Sequence, residues 1–222
     1  MSNNSRRFKM SLDNLIQKFN DKSAVVGVIG LGYVGLPVAC VFARAGFQVI
    51  GLDIKQNRVA AINAGQSPIE GEEPGLADLL AEVVSAKRLQ ATTNYHRLAE
   101  ADAILVAVDT PVDRNNQPQY IALRAAMSDL GQVITPGTLI VIESTVAPGT
   151  VEKVALPILE EKSGLSAHQD FFLGTCPERV MPGKLLANLQ NMDRACGGLR
   201  STSIAEVAKV TTQNAKTLFK LS

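Results

Sequence analysis

The chain has 222 residues, with 22 Lys and Arg against 21 Asp and Glu, and its formal net charge is +1. This balance argues against a nucleic-acid partner, because proteins that bind polyanions usually carry a basic excess. The hydrophobic fraction of 46% indicates a globular protein. No apolar run is long enough to predict a membrane span, and the N-terminus lacks the apolar stretch of a secretory signal.

The cysteines and histidines predict neither a disulfide framework nor a metal site. Cys40, Cys176 and Cys196 are an odd number of widely spaced residues. There is no C-x-x-C pair, and His96 and His168 are isolated from each other. We therefore expect no metal and a reducing, cytoplasmic compartment.

Strand and helix patterns alternate along most of the chain. Residues 1–23 are expected to form an arm, loose over 1–10, with a short helix after it. From residue 24 the sequence predicts a single domain to residue 222, with strands at 24–30, 47–52, 103–108, 138–142, 171–176 and 193–198, and helices at 34–44, 55–64, 76–87, 120–134, 150–162 and from 202. This order predicts an α/β fold, a Rossmann-like doubly wound sheet that is mainly parallel and has helices on both faces.

A glycine-rich turn follows the first predicted strand. Its sequence is GLGYVG at residues 30–35, a G-x-G-x-x-G pattern between a strand and a helix. In that context it predicts a dinucleotide site. Gly30 permits the tight turn, Gly32 lets the backbone approach a pyrophosphate, and Gly35 allows close packing of helix on strand. The helix N-terminus offers N–H groups and a partial positive charge to an anion.

Asp53 ends the second predicted strand, about 20 residues after Gly30, where such folds place an acid against the adenosine ribose. Its carboxylate would accept hydrogen bonds from the ribose and repel a 2′-phosphate, which favours NAD over NADP. Lys55 and Arg58 are near enough in sequence to offset this repulsion. The alternative is a chance glycine turn in which Asp53 merely caps the next helix.

Polar residues follow three later strands. In a parallel sheet, ligands bind beyond the carboxyl ends of the strands, so these residues are expected to meet at one edge. Simpler interpretations stay open, since the threonines are equally suited to capping turns and an exposed Glu–Arg pair contributes little. Together the three ends predict a site; they are Asp109-Thr110-Pro111, Glu143-Ser144-Thr145 and Pro177-Glu178-Arg179-Val180.

The ordered motifs VGVIGLGYVGLPVA, SPIEGEEPGL, VDTPV, ESTVAPGT and CPERVMPG resemble a known family. Together they are similar to the N-terminal NAD-binding domain of nucleotide-sugar 6-dehydrogenases of the UDP-glucose/GDP-mannose type, over residue 24 to about 200. The segment CPERVMPG resembles the branch that acts on UDP-N-acetyl-D-mannosamine or UDP-N-acetylglucosamine, because UDP-glucose dehydrogenases tend to have NPEFL there. The resemblance does not decide between the two epimers.

The resemblance implies an activity. Such enzymes oxidise the C6 alcohol of a UDP-sugar to a carboxylate, reduce two NAD and pass through a cysteine thiohemiacetal and thioester. Family membership further implies a cytoplasmic enzyme that supplies polysaccharide synthesis, and a homodimer for the full-length proteins. Whether this chain dimerises is left open.

The resemblance also implies a role for individual residues. Tyr33, Val34, Asp53 and Arg58 would contact the adenosine and phosphates of NAD together with Gly30, Gly32 and Gly35. Thr110, Pro111 and Thr145 would line the nicotinamide end. Thr145 would also position water, and Glu178 would act in thioester hydrolysis. Arg179 and Val180 would contact the UDP-sugar.

The resemblance places the nucleophilic cysteine in a later domain, so this chain is expected to end before it and to be inactive alone. Cys176 is a poor substitute, because a nearby carboxylate raises a thiol pKa. Cys40 and Cys196 are expected in the core. The alternatives are a UDP-glucose 6-dehydrogenase, a β-hydroxyacid dehydrogenase and a free-standing NAD-binding module without catalysis.

Overall fold

The structure is a computed structural model that describes residues 3–69, 73–178, 183–191, 193–194 and 196–198. One seven-stranded sheet lies at its centre, built from β1 Val25–Ile29, β2 Gln48–Leu52, β3 Leu89–Thr92, β4 Ala103–Val106, β5 Leu139–Ile142, β6 Phe172–Thr175 and β7 Gly197–Gly198. The helices are α1 Asn3–Asn20, α2 Gly35–Arg44, α3 Gln56–Asn63, α4 Leu76–Ser85, α5 Ile121–Gly131, α6 Leu156–Ser163 and α7 Leu185–Asn191. A 3₁₀ turn covers Tyr95–Glu100, and a π-helical turn covers Val151–Ala155.

The strand order is β3-β2-β1-β4-β5-β6-β7. The first six strands are parallel, and β7 pairs antiparallel with β6. Because β1 lies between β2 and β4, the order reverses at β1, and this switch point opens a crevice at the carboxyl ends. The predicted Rossmann-like α/β fold is confirmed.

The core occupies both faces of the sheet, as expected when a parallel sheet is covered on two sides. On one face, Leu36, Phe47 and Leu80 belong to a buried cluster that includes α2 and α4. On the other, Leu123, Leu159 and Phe171 belong to a cluster that includes α5 and α6. Eight of the ten residues of α2 are buried, so the helix after the glycine turn is held firmly against the sheet.

The N-terminal segment differs from its prediction. Helix α1 begins at Asn3, so the loose arm expected over residues 1–10 is wrong for residues 3–10. The last turn of α1 is tied to the sheet by Lys18, whose Nζ lies 2.6 Å from Asp102 Oδ1, and the ring of Phe19 lies 5.5 Å from that of Phe47. The C-terminal turn of the helix therefore packs on the domain.

Other differences concern short elements. Strand β3 and helix α7 were not predicted, since four or seven residues present too little periodicity to recognise. The strand expected at 193–198 is reduced to Gly197–Gly198, and the helix expected from 202 lies outside the described residues.

In the described part, no helix has the length and apolar character to cross a bilayer. Nor do the described side chains form a metal-binding cluster.

Candidate dinucleotide site at the carboxyl edge of the sheet

The glycine turn joins β1 to α2, and two of its glycines are required by close packing. Gly30 has a φ of +88°, and a Cβ there would lie 2.4 Å from the carbonyl oxygen of Ala107. A Cβ on Gly35 would lie 1.9 Å from the carbonyl oxygen of Gly30. The tight turn at Gly30 and the close helix–strand approach at Gly35 therefore agree with the sequence-based expectation.

Gly32 lies in the middle of the turn in a different environment. A Cβ there would meet no atom within 4 Å, so its backbone faces open space. Helix α2 begins three residues later, and no side chain caps its N-terminus at Val34. Open backbone beside an uncapped helix N-terminus suits an anionic group such as a pyrophosphate.

Asp53 connects the second strand to this turn. The side chain is buried, and its Oδ2 accepts hydrogen bonds from the Leu31 N–H at 3.0 Å and from Arg58 Nη1 at 2.9 Å. Its Oδ1 accepts the Lys55 N–H at 2.9 Å. The N-cap residue of α3 is Lys55, so Asp53 is not the helix cap of the alternative interpretation. Arg58 offsets part of the negative charge, as its position in the sequence predicts.

Ile54 was overlooked by the sequence analysis. It directly follows Asp53, and 81% of its surface is exposed although it is large and apolar. Its side chain offers apolar surface next to the carboxylate expected to bind the ribose. We expect it to contact the adenine ring. The signal available in the sequence was a large apolar residue directly after the strand-ending acid.

The ends of β4 and β5 lie side by side and are joined by hydrogen bonds. Thr110 Oγ1 donates to the carbonyl oxygen of Thr145 at 2.8 Å, and Ser144 Oγ donates to that of Val108 at 2.7 Å. The side chain of Thr145 is exposed, as is Pro111. The structure thus brings together the residues predicted to line the nicotinamide end, and their contact with the cofactor stays a prediction.

Glu178 lies at the neighbouring end of β6. Its N–H donates to the carbonyl oxygen of Glu143 at 3.1 Å, and its side chain is half-buried. The predicted catalytic residues Thr145 and Glu178 therefore follow adjacent strands at one edge of the sheet. Their predicted neighbours Arg179 and Val180 lie outside the described residues.

A buried ion pair supports this edge and was not predicted. Arg194 Nη2 lies 2.9 Å from Glu143 Oε1 and donates to the carbonyl oxygen of Cys176 at 2.8 Å. Among the described residues, Glu143 Oε2 and Arg194 Nε have no hydrogen-bond partner. Burial raises the pKa of the Glu143 carboxyl, and the guanidinium of Arg194 opposes that rise. The pair joins the ends of β5 and β6 to the segment before β7.

Tyr33 belongs to the glycine turn but also makes a contact away from it. Its hydroxyl donates to Glu73 Oε2 at 2.6 Å, and the Gly183 N–H lies 2.8 Å from that same oxygen. The Leu185 N–H donates to Glu73 Oε1 at 2.5 Å. Burial, followed by the hydrogen bond to Glu73, raises the pKa of Tyr33. Glu73 thus links the turn to the start of α7, a role that the loop composition around it did not indicate.

Cys40 and Cys176 are poorly placed as nucleophiles toward a substrate. Cys40 is fully buried in α2, and burial raises its pKa to about 12. Cys176 is buried after β6, where a hydrogen bond with Cys196 and burial both raise its pKa. The thiolate is the reactive form of cysteine, so neither residue is suited to attack an aldehyde.

Comparison with known proteins identifies the domain. Residues 24–215 match the UDP-glucose/GDP-mannose dehydrogenase family, NAD binding domain. The UDP-N-acetyl-D-mannosamine dehydrogenase of Campylobacter jejuni is 42% identical over 181 residues, which are 78% of this chain and 43% of that protein. The UDP-N-acetyl-D-glucosamine 6-dehydrogenase of Pseudomonas aeruginosa is 36% identical over 190 residues, 85% of this chain and 42% of that protein.

A solved structure supports the same assignment. The crystal structure of an NDP-N-acetyl-D-galactosaminuronic acid dehydrogenase from Methanosarcina mazei superposes with a TM-score of 0.78 at 37% identity, covering 92% of this chain and 44% of that one. The chain thus spans less than half the length of these relatives. Since the family match covers most of the chain and coincides with the glycine turn, Asp53 and the joined strand ends, the chain belongs to the UDP-glucose/GDP-mannose dehydrogenase family and contains its NAD-binding domain.

Proposed function

We propose that this chain is the cofactor-binding part of an NAD-dependent UDP-N-acetylhexosamine 6-dehydrogenase, with the mannosamine or glucosamine epimer as its sugar. The observation that carries the proposal is the joined edge of β4, β5 and β6. There Thr110 is bonded to the Thr145 backbone, and the Glu178 backbone is bonded to Glu143. A domain that only stored NAD would have no use for a carboxylate at this position.

We assign each proposed role to a residue group by its position along the edge of the sheet. The glycine turn holds the pyrophosphate, Asp53 holds the ribose, and Ile54 contacts the adenine. Thr110, Pro111 and Thr145 receive the nicotinamide end. When bound there, NAD would supply the hydride acceptor for oxidation of the C6 alcohol. Glu178 with Thr145 would position the water that hydrolyses the thioester, since a carboxylate within hydrogen-bond reach of water can act as a base. Arg179 and Val180 contact the UDP-sugar.

The sugar assignment is supported by CPERVMPG and by the names of the relatives. The same resemblance supports a cytoplasmic enzyme that supplies polysaccharide synthesis, and a homodimeric assembly for the full-length proteins. The chain alone is proposed to bind NAD without turnover, because the family resemblance places the nucleophilic cysteine in a later domain and because Cys40 and Cys176 are both buried.

The test measures NADH absorbance and NAD binding on the same sample. The purified chain is mixed with NAD and UDP-N-acetylmannosamine, UDP-N-acetylglucosamine or UDP-glucose, and calorimetry records binding of NAD and then of each UDP-sugar. We expect NAD to bind, no NADH to form, and the two acetylated sugars to bind more tightly than UDP-glucose. Steady NADH production would contradict the proposed lack of turnover. Equal or tighter binding of UDP-glucose would contradict the sugar assignment.

A further inference from the structure

Two cysteines face each other at the edge of the sheet. Cys176 follows β6 and Cys196 precedes β7. The antiparallel register pairs Gly174 with Gly198 and Thr175 with Gly197, and one further step in that register would place the two cysteines opposite each other. Their sulfur atoms lie 2.9 Å apart, in direct contact. The two residues are 20 positions apart in sequence, so the sheet alone brings them together.

The backbone around this pair suits a covalent bond between the sulfurs. Residues directly opposite in antiparallel strands have Cα atoms about 4.5–5.5 Å apart, within the range of about 4.4–6.8 Å that disulfides require. From 2.9 Å, the sulfurs need to approach by about 0.9 Å to reach bonding distance. Such a shift requires side-chain movement without rearrangement of the strands.

The two thiols differ in access. Cys196 is partly exposed, whereas Cys176 is buried. The guanidinium of Arg194 donates to the Cys176 carbonyl oxygen at 2.8 Å, and its charge opposes the rise in the Cys176 pKa. An external reagent therefore reaches Cys196 first. Once Cys196 is modified, its hydrogen bond with Cys176, which is the main cause of the raised Cys176 pKa, is lost, and Cys176 can then react in turn. Cys40 is fully buried in α2 and belongs to a separate part of the core.

We propose that Cys176 and Cys196 are a dithiol modification site that forms an intramolecular disulfide with a small disulfide, of the glutathione type, as oxidant. The Cys196 thiolate attacks one sulfur of the oxidant, which forms a mixed disulfide and releases one glutathione thiolate. The Cys176 thiolate then attacks Cys196 Sγ and releases the second. The two protein thiols lose two electrons and two protons, and the oxidant becomes two thiols.

This site is independent of the proposed sugar specificity. The disulfide would join the end of β6 covalently to the segment that carries Arg194. The Glu143–Arg194 ion pair already connects these parts of the sheet edge without a covalent bond. The glycine turn and Asp53 lie on the other side of β4, so the adenosine half of NAD is expected to bind in the same way in both redox forms.

The test uses mass spectrometry on the intact chain. The chain is reduced, freed of reductant and incubated with oxidised glutathione, then denatured in acid and alkylated. We expect the wild type to lose the mass of two hydrogen atoms and to take up one alkyl group, on Cys40. Peptide mapping should then show Cys176 linked to Cys196. A wild type that keeps three alkylatable thiols, or that links Cys40 to either partner, would overturn the proposal.

Matched variants identify the order of the steps. Cys40→Ser should lose the same two hydrogen atoms and keep no alkylatable thiol. Cys176→Ser should stop at the mixed glutathione disulfide on Cys196, and Cys196→Ser should form no intramolecular bond. An intramolecular link in either of the last two variants would overturn the assignment. The wild-type measurement decides the proposal even if a variant fails to fold.

Discussion

Neighbouring glycines of the glycine turn have different roles, one suited to binding the cofactor and one in packing. Gly32 faces open space, whereas Gly35 packs against the Gly30 carbonyl oxygen. Asp53 has both kinds of role. Its carboxylate accepts a hydrogen bond from the Leu31 N–H, and it lies where the ribose of NAD is expected to bind. Variants at these positions separate loss of the cofactor from loss of the fold.

Gly32→Ala and Gly35→Ala form a matched pair of substitutions. A methyl group at position 32 should leave the melting temperature nearly unchanged but weaken NAD binding about tenfold or more, because it occupies the space proposed to hold the pyrophosphate. The same methyl group at position 35 should destabilise the domain by at least about 1–3 kcal/mol, because it meets backbone. Calorimetry with NAD and thermal unfolding measure the two effects. Unchanged NAD affinity in Gly32→Ala would argue against a pyrophosphate at the turn.

Asp53→Asn tests the choice of cofactor. The amide keeps the shape of the side chain but removes the charge that is proposed to repel a 2′-phosphate and to bind the ribose. We expect NAD affinity to fall by roughly 1.5–3 kcal/mol, or about 10- to 100-fold, with a smaller loss for NADP. Asp78→Asn, at an exposed position of α4, is the control that should change neither affinity. An unchanged ratio of the two affinities would exclude Asp53 as the discriminating residue.

Among the elements, the link that Glu73 makes between the glycine turn and α7 is the clearest example of a contact that the local sequence does not predict. Burial alone would raise the pKa of Glu73, but hydrogen bonds from Tyr33 and from the Leu185 and Gly183 amides outweigh it, so the pKa lies below the ordinary 4.5. A carboxyl with a lowered pKa in the folded state stabilises the fold above its unfolded pKa. That stabilisation is lost as pH falls through the lowered value.

Glu73→Gln should therefore destabilise the chain at pH 7, and the difference from wild type should shrink below pH 4.5. Amide hydrogen exchange at Leu185 should become faster in the variant at neutral pH, because its acceptor loses its charge. Glu82→Gln, on the exposed face of α4, is the control and should change neither measurement. A Glu73→Gln effect that stays constant from pH 7 to pH 3 would show that the charge is not what holds α7.

For the whole molecule, the carboxyl edge is assembled from three separate stretches of chain. Glu143 follows β5, Cys176 follows β6, and Arg194 precedes β7, and the guanidinium contacts both of the others. The side chain of Glu143 is only 2% exposed, whereas that of Arg194 is 18% exposed. Removing the cation therefore costs more than removing the carboxylate, because a buried anion is then left without a partner.

Arg194→Met should destabilise the fold by about 3–5 kcal/mol at pH 8, and Glu143→Gln by less. Burial raises the pKa of Glu143, so folding tolerates its neutral form better than its charged form, and the cost of Arg194→Met should decrease as the pH falls below 8. Arg97→Met, which breaks the exposed pair with Glu100, is the control and should cost under about 1 kcal/mol. Equal costs for Arg97→Met and Arg194→Met in urea unfolding would contradict the role of burial.

The sequence predicted most of the fold because its signals are local. Runs such as residues 103–108 are apolar enough to be strands buried on both faces. The spacing of the three glycines in the turn, with Asp53 about 20 residues later, is typical of a dinucleotide-binding fold. Short elements escaped, among them β3 and α7, since a few residues carry little periodicity. The start of α1 was missed because its first residues are polar and basic, which is typical of a loose arm. The contact of Lys18 with Asp102, which holds the last turn of the helix, is visible only in the structure.

By itself the sequence determined the fold class, the cofactor turn and the edge at which the site lies, because these follow from hydrophobic periodicity, glycine conformation and the geometry of parallel sheets. Only the tertiary structure decided which side chains meet there. Arg194 pairs with Glu143, Cys176 faces Cys196, and Glu73 reaches both Tyr33 and Leu185. These partners lie between 20 and 112 positions apart. Nothing local in either segment selects the other, so the choice is made by strand order and packing.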